Sequence, residues 1–272
     1  MESYNLIAMD MDGTVLNSKH EISIRTRAVM NEILNRGKYV VFATGRCLAE
    51  MKEYVEEFPA MRYLICENGA CIYDLQEKKE IYRKPVSREL TEQVIRTVEN
   101  EDVLVSFFIG NKAFMNAEAI PRLAEYGLES YVEVLEKTRV RVQDLFAFYR
   151  DNPLEPEKIT IYFKDSHTRT LVRGRLERMK LQLSGSIGGN LEITDAGVSK
   201  GLGLQKVCEL LQISLKQTIA IGDGYNDKEM LTCAGLGVAM ENAGSELKRT
   251  ADCIAPDCDH DGVAFIMEKY ML

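Results

Sequence analysis

Short apolar runs alternate with amphipathic segments along the first part of the chain. Residues 5–9, 38–43 and 63–66 are mainly apolar and of strand length, and the segment between Ser23 and Gly37 carries apolar residues at helical spacing. Ser23 can accept hydrogen bonds from the free N–H groups of a helix start, and Gly37 can adopt the left-handed conformation that ends a helix. Strands that alternate with helices are typical of a parallel sheet covered by helices on both faces.

The C-terminal part of the chain repeats this alternation. A helix is predicted after Lys200, strands are predicted at residues 218–221 and 236–239, and a further helix is predicted from about Asn226. The two ends of the chain therefore predict one α/β domain with a doubly wound parallel sheet.

A different pattern in the middle of the chain predicts an inserted domain. Its expected elements are helix 87–98, strand 103–109, a strand near Ala113, helix 143–149, strand 158–163 and helix 168–179. We expect residues 1–82 and 189–272 to form one domain, and residues 83–188 to form an inserted α/β domain.

The length of the chain agrees with this division. Its 272 residues correspond to about two domains. The expected hinges are Lys84-Pro85 on one side of the insertion and Gly188-Gly189 with Gly197 on the other side.

The net charge limits the possible partners. It is -8 at pH 7, and such an acidic surface repels nucleic acid and anionic membranes. We therefore expect a small-molecule ligand, with no nucleic-acid or membrane partner. The apolar runs are far shorter than a membrane span, and the first ten residues contain Glu2 and Asp10 but no basic segment typical of a secretion signal. A cytoplasmic location is expected, whereas the oligomeric state cannot be inferred from the sequence.

The cysteines predict a reduced protein. There are 7 of them, an odd number, and none forms a Cys-x-x-Cys pair. An alternative metal site around Cys253, Cys258 and His260 lacks the paired ligand spacing of zinc sites.

The run Asp10-Met11-Asp12-Gly13-Thr14 follows the first predicted strand. Open α/β sheets bind their ligands at the carboxyl ends of strands. After the turn at Gly13 the two carboxylates can diverge, so that one attacks a substrate and the other transfers protons. Magnesium prefers such oxygen ligands. The alternative is a solvated turn with no catalytic role.

The segment Thr44-Gly45-Arg46 follows the second predicted strand and precedes a helix. This segment would suit a phosphate for three reasons. The Thr44 hydroxyl can donate a hydrogen bond, Gly45 allows the backbone to approach closely, and the helix start offers free N–H groups. The alternative is that Thr44 is an ordinary helix cap.

Lys200 and the segment Gly222-Asp223-Gly224-Tyr225-Asn226-Asp227 supply the remaining polar groups. A lysine is disfavoured at a helix start, so Lys200 is expected to neutralise a phosphate and Asp10, unless it merely extends into solvent. Asp223 would bind the cation, Asn226 would donate to the phosphate, and Asp227 would orient Lys200 or a metal-bound water. The alternative is that this segment is a polar turn that binds no ligand.

The order of these four segments resembles the motifs of the haloacid dehalogenase superfamily. The resemblance covers residues 5–74 and 190–270. Within this superfamily the chain looks like the Cof-type sugar-phosphatase branch, because it also carries Glu67-Asn68-Gly69-Ala70 and Val198-Ser199-Lys200-Gly201. Members of that branch carry an α/β (type IIB) cap at the position of the insertion. The resemblance implies that residues 1–82 and 189–272 form a Rossmann-like catalytic core, and that residues 83–188 form a cap domain that determines substrate specificity.

The resemblance also implies a mechanism. Asp10 would attack phosphorus and form an aspartyl-phosphate, while Asp12 would protonate the leaving oxygen and later deprotonate the hydrolytic water. Mg²⁺ would bind Asp10, the main-chain carbonyl of Asp12 and Asp223. The groups expected to contact the phosphate or the substrate are the Met11 N–H, Thr44, Gly45, Arg46, Asn68, Lys200 and Asn226.

Three other functions stay open at this point. A phosphomutase shares the aspartyl-phosphate chemistry and the cap. A receiver-type signalling module also gathers carboxylates, a threonine and a lysine around magnesium, but it needs neither an acid two residues after Asp10 nor a large insertion. A catalytically silent binding protein is disfavoured because every proposed catalytic position is filled. The substrate also stays open: hexose phosphates, other sugar phosphates, pyridoxal phosphate and flavin mononucleotide are the candidates, and broad specificity is expected.

Overall fold

The structure is a computed structural model that describes residues 4–152, 154–185 and 189–272. The chain forms two compact units. The core unit comprises the chain up to Arg46, Glu53–Tyr82 and Ser199–Leu272, and the inserted unit comprises Cys47–Lys52 and Arg83–Val198. Gly188, in one of the expected hinges, lies outside the described residues.

The elements are numbered in chain order. The strands are β1 Leu6–Met9, β2 Tyr39–Ala43, β3 Tyr63–Cys66, β4 Cys71–Asp74, β5 Lys79–Arg83, β6 Val103–Ile109, β7 Lys112–Asn116, β8 Arg139–Val142, β9 Lys158–Phe163, β10 Leu181–Ser184, β11 Leu191–Asp195, β12 Thr218–Gly222, β13 Leu236–Met240 and β14 Cys253–Ala255. The α-helices are α1 Ile24–Asn35, α2 Leu48–Glu56, α3 Arg88–Val98, α4 Val132–Thr138, α5 Leu145–Asp151, α6 Ser166–Leu176, α7 Lys200–Leu211, α8 Lys228–Cys233, α9 Ser245–Thr250 and α10 Gly262–Tyr270. Short 3-10 helices occupy Glu67–Gly69, Ala117–Tyr126, Glu129–Tyr131, Leu215–Gln217, Tyr225–Asp227 and Cys258–His260.

The core unit contains an eight-stranded sheet in the order β14-β13-β12-β1-β2-β3-β4-β5. Neighbouring strands from β14 to β3 are parallel, whereas β3 and β4 form an antiparallel hairpin. The predicted doubly wound α/β core is confirmed, but the sheet is not parallel throughout. Strand β4 was missed because it has only four residues and follows β3 after a short turn.

The register of this sheet explains why polar segments distant in sequence meet. Met9 at the end of β1 pairs with Phe42 of β2 on one side and with Ile221 of β12 on the other. The residues that follow these three parallel strands therefore leave the sheet at the same edge. Asp10 and Asp223 follow two of them.

Apolar packing holds α7 on one face of the sheet. Leu204 and Val207 of this helix are fully buried in one cluster with Ile65 of β3 and Ala220 of β12. Burying each such side chain contributes roughly 1.5–3 kcal/mol. Because α7 begins at Lys200, this packing also fixes the position of the lysine.

The inserted unit contains a six-stranded sheet in the order β10-β11-β9-β6-β7-β8. Only the β7–β8 pair among its recorded pairings is parallel. Helices α3, α5 and α6 contribute buried residues to one apolar cluster with β6, β9 and β11. The strands predicted at 103–109 and 158–163 are confirmed, as is the helix after Ser87, whose hydroxyl accepts from the Leu90 N–H.

Several elements of the inserted unit were missed. These are β8, β10, β11, α4 and the 3-10 helix Ala117–Tyr126. Strand β8 reads Arg-Val-Arg-Val, and β10 reads Leu-Gln-Leu-Ser, so neither is a continuous apolar run. Among the described residues, no helix has the length and apolar character needed to span a membrane. All seven cysteines are free thiols.

Candidate active site

Lys200 joins two carboxylates in the core unit. It is the first residue of α7, whose N-terminus is capped by the Ser199 hydroxyl. The Lys200 ammonium donates to Asp10 Oδ1 at 2.6 Å and to Asp227 Oδ1 at 2.7 Å, and the lysine side chain is fully buried. A cation at a helix N-terminus opposes the helix dipole. The two carboxylates compensate for that unfavourable position.

Asp223 lies against the turn that follows β1. Its Oδ1 accepts a hydrogen bond from the Thr14 hydroxyl at 2.9 Å. Gly13 has a φ of +75°, and a Cβ at this position would lie 2.4 Å from Asp223 Oδ2. Glycine is therefore required at position 13 both for the turn and for the close approach of the carboxylate.

Asp227 holds the loop that follows β12. Its Oδ2 accepts hydrogen bonds from the N–H groups of Asp223, at 3.1 Å, and Gly224, at 2.9 Å. Its other oxygen accepts from Lys200. Because both oxygens are engaged and the side chain is fully buried, Asp227 orients the loop and the lysine at the same time.

The electrostatics of this cluster favour a bound cation. Burial, followed by the charge of Asp227, raises the pKa of Asp10 to about 7, although Lys200 acts in the opposite direction. Burial and the charge of Asp10 raise the pKa of Asp223 to about 6, and burial also raises the pKa of Asp227. Burial acts to lower the pKa of Lys200, but Asp10 and Asp227 outweigh it and raise that pKa. Three acids thus face one lysine, and a second positive charge would stabilise their ionised forms.

The same three acids could hold a metal ion. One carboxylate oxygen from each of Asp10, Asp223 and Asp227 lies within 4.8 Å of the other two. An all-oxygen, negatively charged set of this kind suits a hard divalent cation such as magnesium, calcium or manganese. Asp227 already accepts three hydrogen bonds, so Asp10 and Asp223 are the more available ligands.

Asp12, the second carboxylate of the first motif, binds Arg46. Arg46 Nε donates to Asp12 Oδ2 at 2.9 Å and Arg46 Nη2 donates to Asp12 Oδ1 at 2.6 Å. This is a bidentate pair, which fixes the plane of the carboxylate as well as its position. Arg46 was expected on the phosphate or the substrate, and the structure places its guanidinium on Asp12.

Two residues outside the predicted set surround the Asp12–Arg46 pair. The Arg46 guanidinium lies 5.5 Å from the centroid of the Tyr54 ring, within the range of a cation–π contact. His20 Nδ1 lies 4.0 Å from Asp12 Oδ1. No motif in the sequence marks either residue, because the fold alone brings them to Asp12.

Thr44, Asn68 and Asn226 form a second polar group in the core unit. The Thr44 hydroxyl accepts from the Arg46 N–H at 3.1 Å, and the Thr44 carbonyl accepts from the Asn68 N–H at 3.0 Å. The Asn226 amide donates to Asn68 Oδ1 at 3.1 Å. Thr44 and Asn68 are buried. The structure therefore joins the expected substrate contacts of three separate segments by direct hydrogen bonds.

The remaining predicted residues lie in the turns between these groups. Met11 has a buried side chain, and its carbonyl accepts from the N–H groups of Thr14 and Leu16. Gly45 connects Thr44 to Arg46. Thr14 was missed as a contact of Asp223, although it belongs to the first motif.

Comparison with known proteins identifies the family. Residues 7–267 match the model of the haloacid dehalogenase-like hydrolases. This match confirms the family predicted from the four sequence motifs.

Two curated relatives and one solved structure illustrate the similarity. Phosphatase YwpJ of Bacillus subtilis (strain 168) is 30% identical over 289 residues, covering 98% of this chain and 99% of the relative. The 5-amino-6-(5-phospho-D-ribitylamino)uracil phosphatase YcsE of the same organism is 31% identical over 270 residues, covering 98% of this chain and 96% of the relative. A haloacid dehalogenase-like hydrolase from B. subtilis superposes with a TM-score of 0.85 at 28% identity, covering 98% of this chain and 100% of the other.

These similarities extend over nearly the whole chain and agree with the carboxylate and lysine cluster of the core unit. The chain belongs to the haloacid dehalogenase-like hydrolases and is a phosphatase, a hydrolase of phosphate monoesters.

Proposed function

We propose that this phosphatase hydrolyses small phosphate monoesters, foremost sugar phosphates, with Mg²⁺ and through an aspartyl-phosphate on Asp10. The observation that carries the proposal is the contact of Lys200 with Asp10 Oδ1 at 2.6 Å. This contact places the Lys200 ammonium against one oxygen of the buried Asp10 carboxylate. Both groups lie at the carboxyl ends of the parallel strands, where α/β proteins bind ligands.

In the first half-reaction, an Asp10 oxygen attacks phosphorus and the bond from phosphorus to the leaving oxygen breaks. Asp12 donates a proton to that oxygen, so that the product leaves as an alcohol. Once Asp12 has given up this proton, two hydrogen bonds from Arg46 hold its ionised carboxylate in a fixed orientation. Lys200 compensates part of the negative charge that accumulates near Asp10.

In the second half-reaction, a water molecule attacks the phosphorus of the aspartyl-phosphate. Asp12, now ionised, takes a proton from that water, and the bond from Asp10 to phosphorus breaks and releases phosphate. Thr44 and Asn226 are expected to hold the phosphoryl oxygens with Lys200. Their mutual position depends on the bond from Asn226 to Asn68 and the bond from Asn68 to Thr44.

A magnesium ion would be held by Asp10, Asp223 and the main-chain carbonyl of Asp12, and would supply positive charge for the phosphoryl oxygens and for the acidic cluster. The raised pKa values of Asp10, about 7, and of Asp223, about 6, support this assignment, because a cation between the two carboxylates would favour their ionised forms.

Two observations support a small phosphorylated polyol as substrate. The net charge of -8 disfavours polyanionic substrates such as nucleic acid. The relative YcsE is named for a substrate whose phosphate is carried by a ribityl chain. We propose that residues 83–188 select the leaving group, as expected for an inserted domain of this family.

A phosphate-release screen tests the proposal. The full chain is assayed with hexose phosphates, other sugar phosphates, pyridoxal phosphate and flavin mononucleotide, each with Mg²⁺ and with a chelator, and the products are identified by NMR. We expect Mg²⁺-dependent release of phosphate from several sugar phosphates. An isomerised sugar phosphate without free phosphate would instead indicate a mutase. A stable phosphorylated protein without turnover would indicate a signalling module.

A further inference from the structure

Asn242 lies near the proposed metal ligands although it belongs to none of the sequence motifs. It follows β13, the strand beside β12. Gly222 at the end of β12 pairs with Ala239 of β13. The loops that carry Asp223 and Asn242 therefore leave the sheet side by side.

The side chain of Asn242 contacts three different loops. Its Nδ2 donates to the Gly13 carbonyl at 2.8 Å, and the same nitrogen lies 3.4 Å from Asp223 Oδ2. Its Oδ1 accepts from the Cys258 N–H at 3.3 Å. Both ends of the amide are thus engaged, although the residue is exposed. An exposed side chain pays rotamer entropy for such an arrangement, so several contacts are needed to hold it in place.

Asn242 and Thr14 approach opposite oxygens of the Asp223 carboxylate, and we name this pair the Asp223 clamp. The Thr14 hydroxyl donates to Oδ1 at 2.9 Å, and the Asn242 amide approaches Oδ2. A carboxylate has about four lone-pair positions, so two donors leave acceptor sites for a cation. Both donors are neutral, and they orient Asp223 without cancelling its charge.

A contrast with the other acids of the core unit strengthens this point. Asp10 and Asp227 are paired with Lys200, and Asp12 is paired with Arg46. Asp223 is held by uncharged groups at both oxygens. Its negative charge is therefore retained for an added cation, which is the requirement for a metal ligand that must also be fixed in position.

We infer that Asn242 is a positioning residue for the divalent cation: through the Gly13 carbonyl and Asp223 it fixes the carboxylate that binds the metal. This inference rests on the proposed function, because it assumes that Asp223 is a magnesium ligand. A purely structural role, in which Asn242 only ties the Gly13 turn to the C-terminal segment at Cys258, predicts a different result.

The test compares Asn242→Ala with the wild-type protein and with Asn31→Ala. Asn31 is a matched control in the core unit, because its Nδ2 also donates to a carbonyl, that of Arg27, at 3.0 Å. Mg²⁺ affinity is measured without substrate, by calorimetry and by the Mg²⁺-dependent rise in melting temperature. Phosphate release is measured over a range of Mg²⁺ concentrations.

We expect Asn242→Ala to weaken Mg²⁺ binding by roughly 10- to 100-fold, the usual effect of removing a group that orients a metal ligand. The kcat at saturating Mg²⁺ should stay within a few-fold of wild type, and Asn31→Ala should bind Mg²⁺ as wild type does. Asn242→Gln, which keeps the amide one methylene further out, should recover part of the affinity.

Three results would overturn the inference. Unchanged Mg²⁺ affinity in Asn242→Ala, with a lower melting temperature in the absence of metal, would show a structural role only and leave the proposed function intact. If Asn242→Ala does not fold, Asn242→Ser removes the amide with a smaller change of side chain, and wild-type Mg²⁺ affinity in Asn242→Ser would have the same meaning. A wild-type protein that neither binds Mg²⁺ nor needs it for turnover would instead remove the proposed function, and with it this inference.

Discussion

The two units each bury a set of charges, and the two sets differ in balance. In the core unit three acids, Asp10, Asp223 and Asp227, face Lys200. In the inserted unit the buried acids Glu50 and Glu192 each contact one base. Arg139 lies 2.9 Å from Glu50 and Lys158 lies 2.7 Å from Glu192.

The pKa values follow this difference. Burial opposes the ionisation of Glu50, but Arg139 and the Cys47 N–H more than compensate and lower the pKa of Glu50 to about 2. In the core, burial and surplus negative charge raise the pKa of Asp10 to about 7. Glu50 and Asp10 are both buried, but the pKa is lowered where a base matches the acid and raised where the acids outnumber the base.

The comparison separates two uses of buried charge. A matched pair is satisfied within the fold, so losing one partner should reduce stability. An unmatched acid is unfavourable to the fold unless a cation joins it, so losing that acid should reduce activity and leave stability intact. Variants in the two clusters should therefore have opposite effects.

The largest effect is expected for Asp10→Asn. Turnover should fall by about 10⁴-fold or more, because the proposed covalent step on Asp10 would be lost. The melting temperature without divalent cations should not fall, because a neutral amide replaces a carboxylate whose ionisation the fold disfavours. Phosphate release and thermal denaturation measure the two quantities. Substantial residual turnover would contradict the assignment of the nucleophile.

The opposite behaviour is expected for Arg139→Met in the inserted unit. It leaves Glu50 buried without its guanidinium, which should lower the free energy of unfolding by about 3–5 kcal/mol in urea denaturation. Adding Glu50→Gln to this variant should restore most of the loss. The exposed pair of Arg173 and Glu177 provides the control, and Arg173→Met should cost no more than about 1 kcal/mol. A double variant no more stable than Arg139→Met would refute the matched-pair explanation.

A smaller effect is expected for Arg46→Lys, which probes a matched pair inside the active site. Lysine keeps the charge but cannot form the two parallel bonds that Arg46 makes to Asp12. The kcat should fall by roughly 10- to 100-fold, because Asp12, the proposed proton-transferring group, would be less well oriented. Steady-state kinetics would contradict this role if only KM changed.

The smallest effect concerns pH and stability. The folded-state pKa values of Asp10 and Asp223, about 7 and about 6, lie above their ordinary value of 3.8, so the unfolded chain releases these protons at lower pH. Without divalent cations, the stability contributed by these groups should therefore decline as the pH rises through about 4 to 7.

Mg²⁺ should remove this decline, because it stabilises the ionised carboxylates. The rise in melting temperature caused by Mg²⁺ should be larger at about pH 8 than at about pH 6. Thermal denaturation at both pH values, with and without Mg²⁺, provides the measurement. Asp10→Asn should show a weaker dependence on pH. An equal Mg²⁺ effect at both pH values in the wild type would contradict the idea that protons and metal compete for this cluster.

The sequence was most informative where a polar motif follows an apolar strand. Asp10 and Asp223 were found because the strands before them are continuous apolar runs, and parallel strands bring their carboxyl ends together. Lys200 was marked by its unfavourable position at a helix start. Local sequence thus indicated both the core sheet and the residues that meet at its edge.

The sequence was least informative where tertiary structure decides which groups meet. The pairing of Arg46 with Asp12, and the position of Asn242 beside Asp223, depend on side-chain directions that no spacing predicts. The mixed strands β8 and β10 were missed because their alternation of polar and apolar residues is short. The ion pair of Glu50 and Arg139 in the inserted unit could not be predicted either, because the two residues lie far apart in the chain.

The most direct test of the central claim is a rapid-quench experiment with wild-type protein, Mg²⁺ and the best substrate of the screen. The reaction is stopped in acid within one turnover, the protein is digested, and phosphorylated peptides are identified by mass spectrometry. We predict phosphate on Asp10 that appears and decays at rates consistent with turnover. Efficient turnover with phosphate on another residue, or with no phosphorylated protein under conditions that preserve acyl phosphates, would contradict the proposed mechanism.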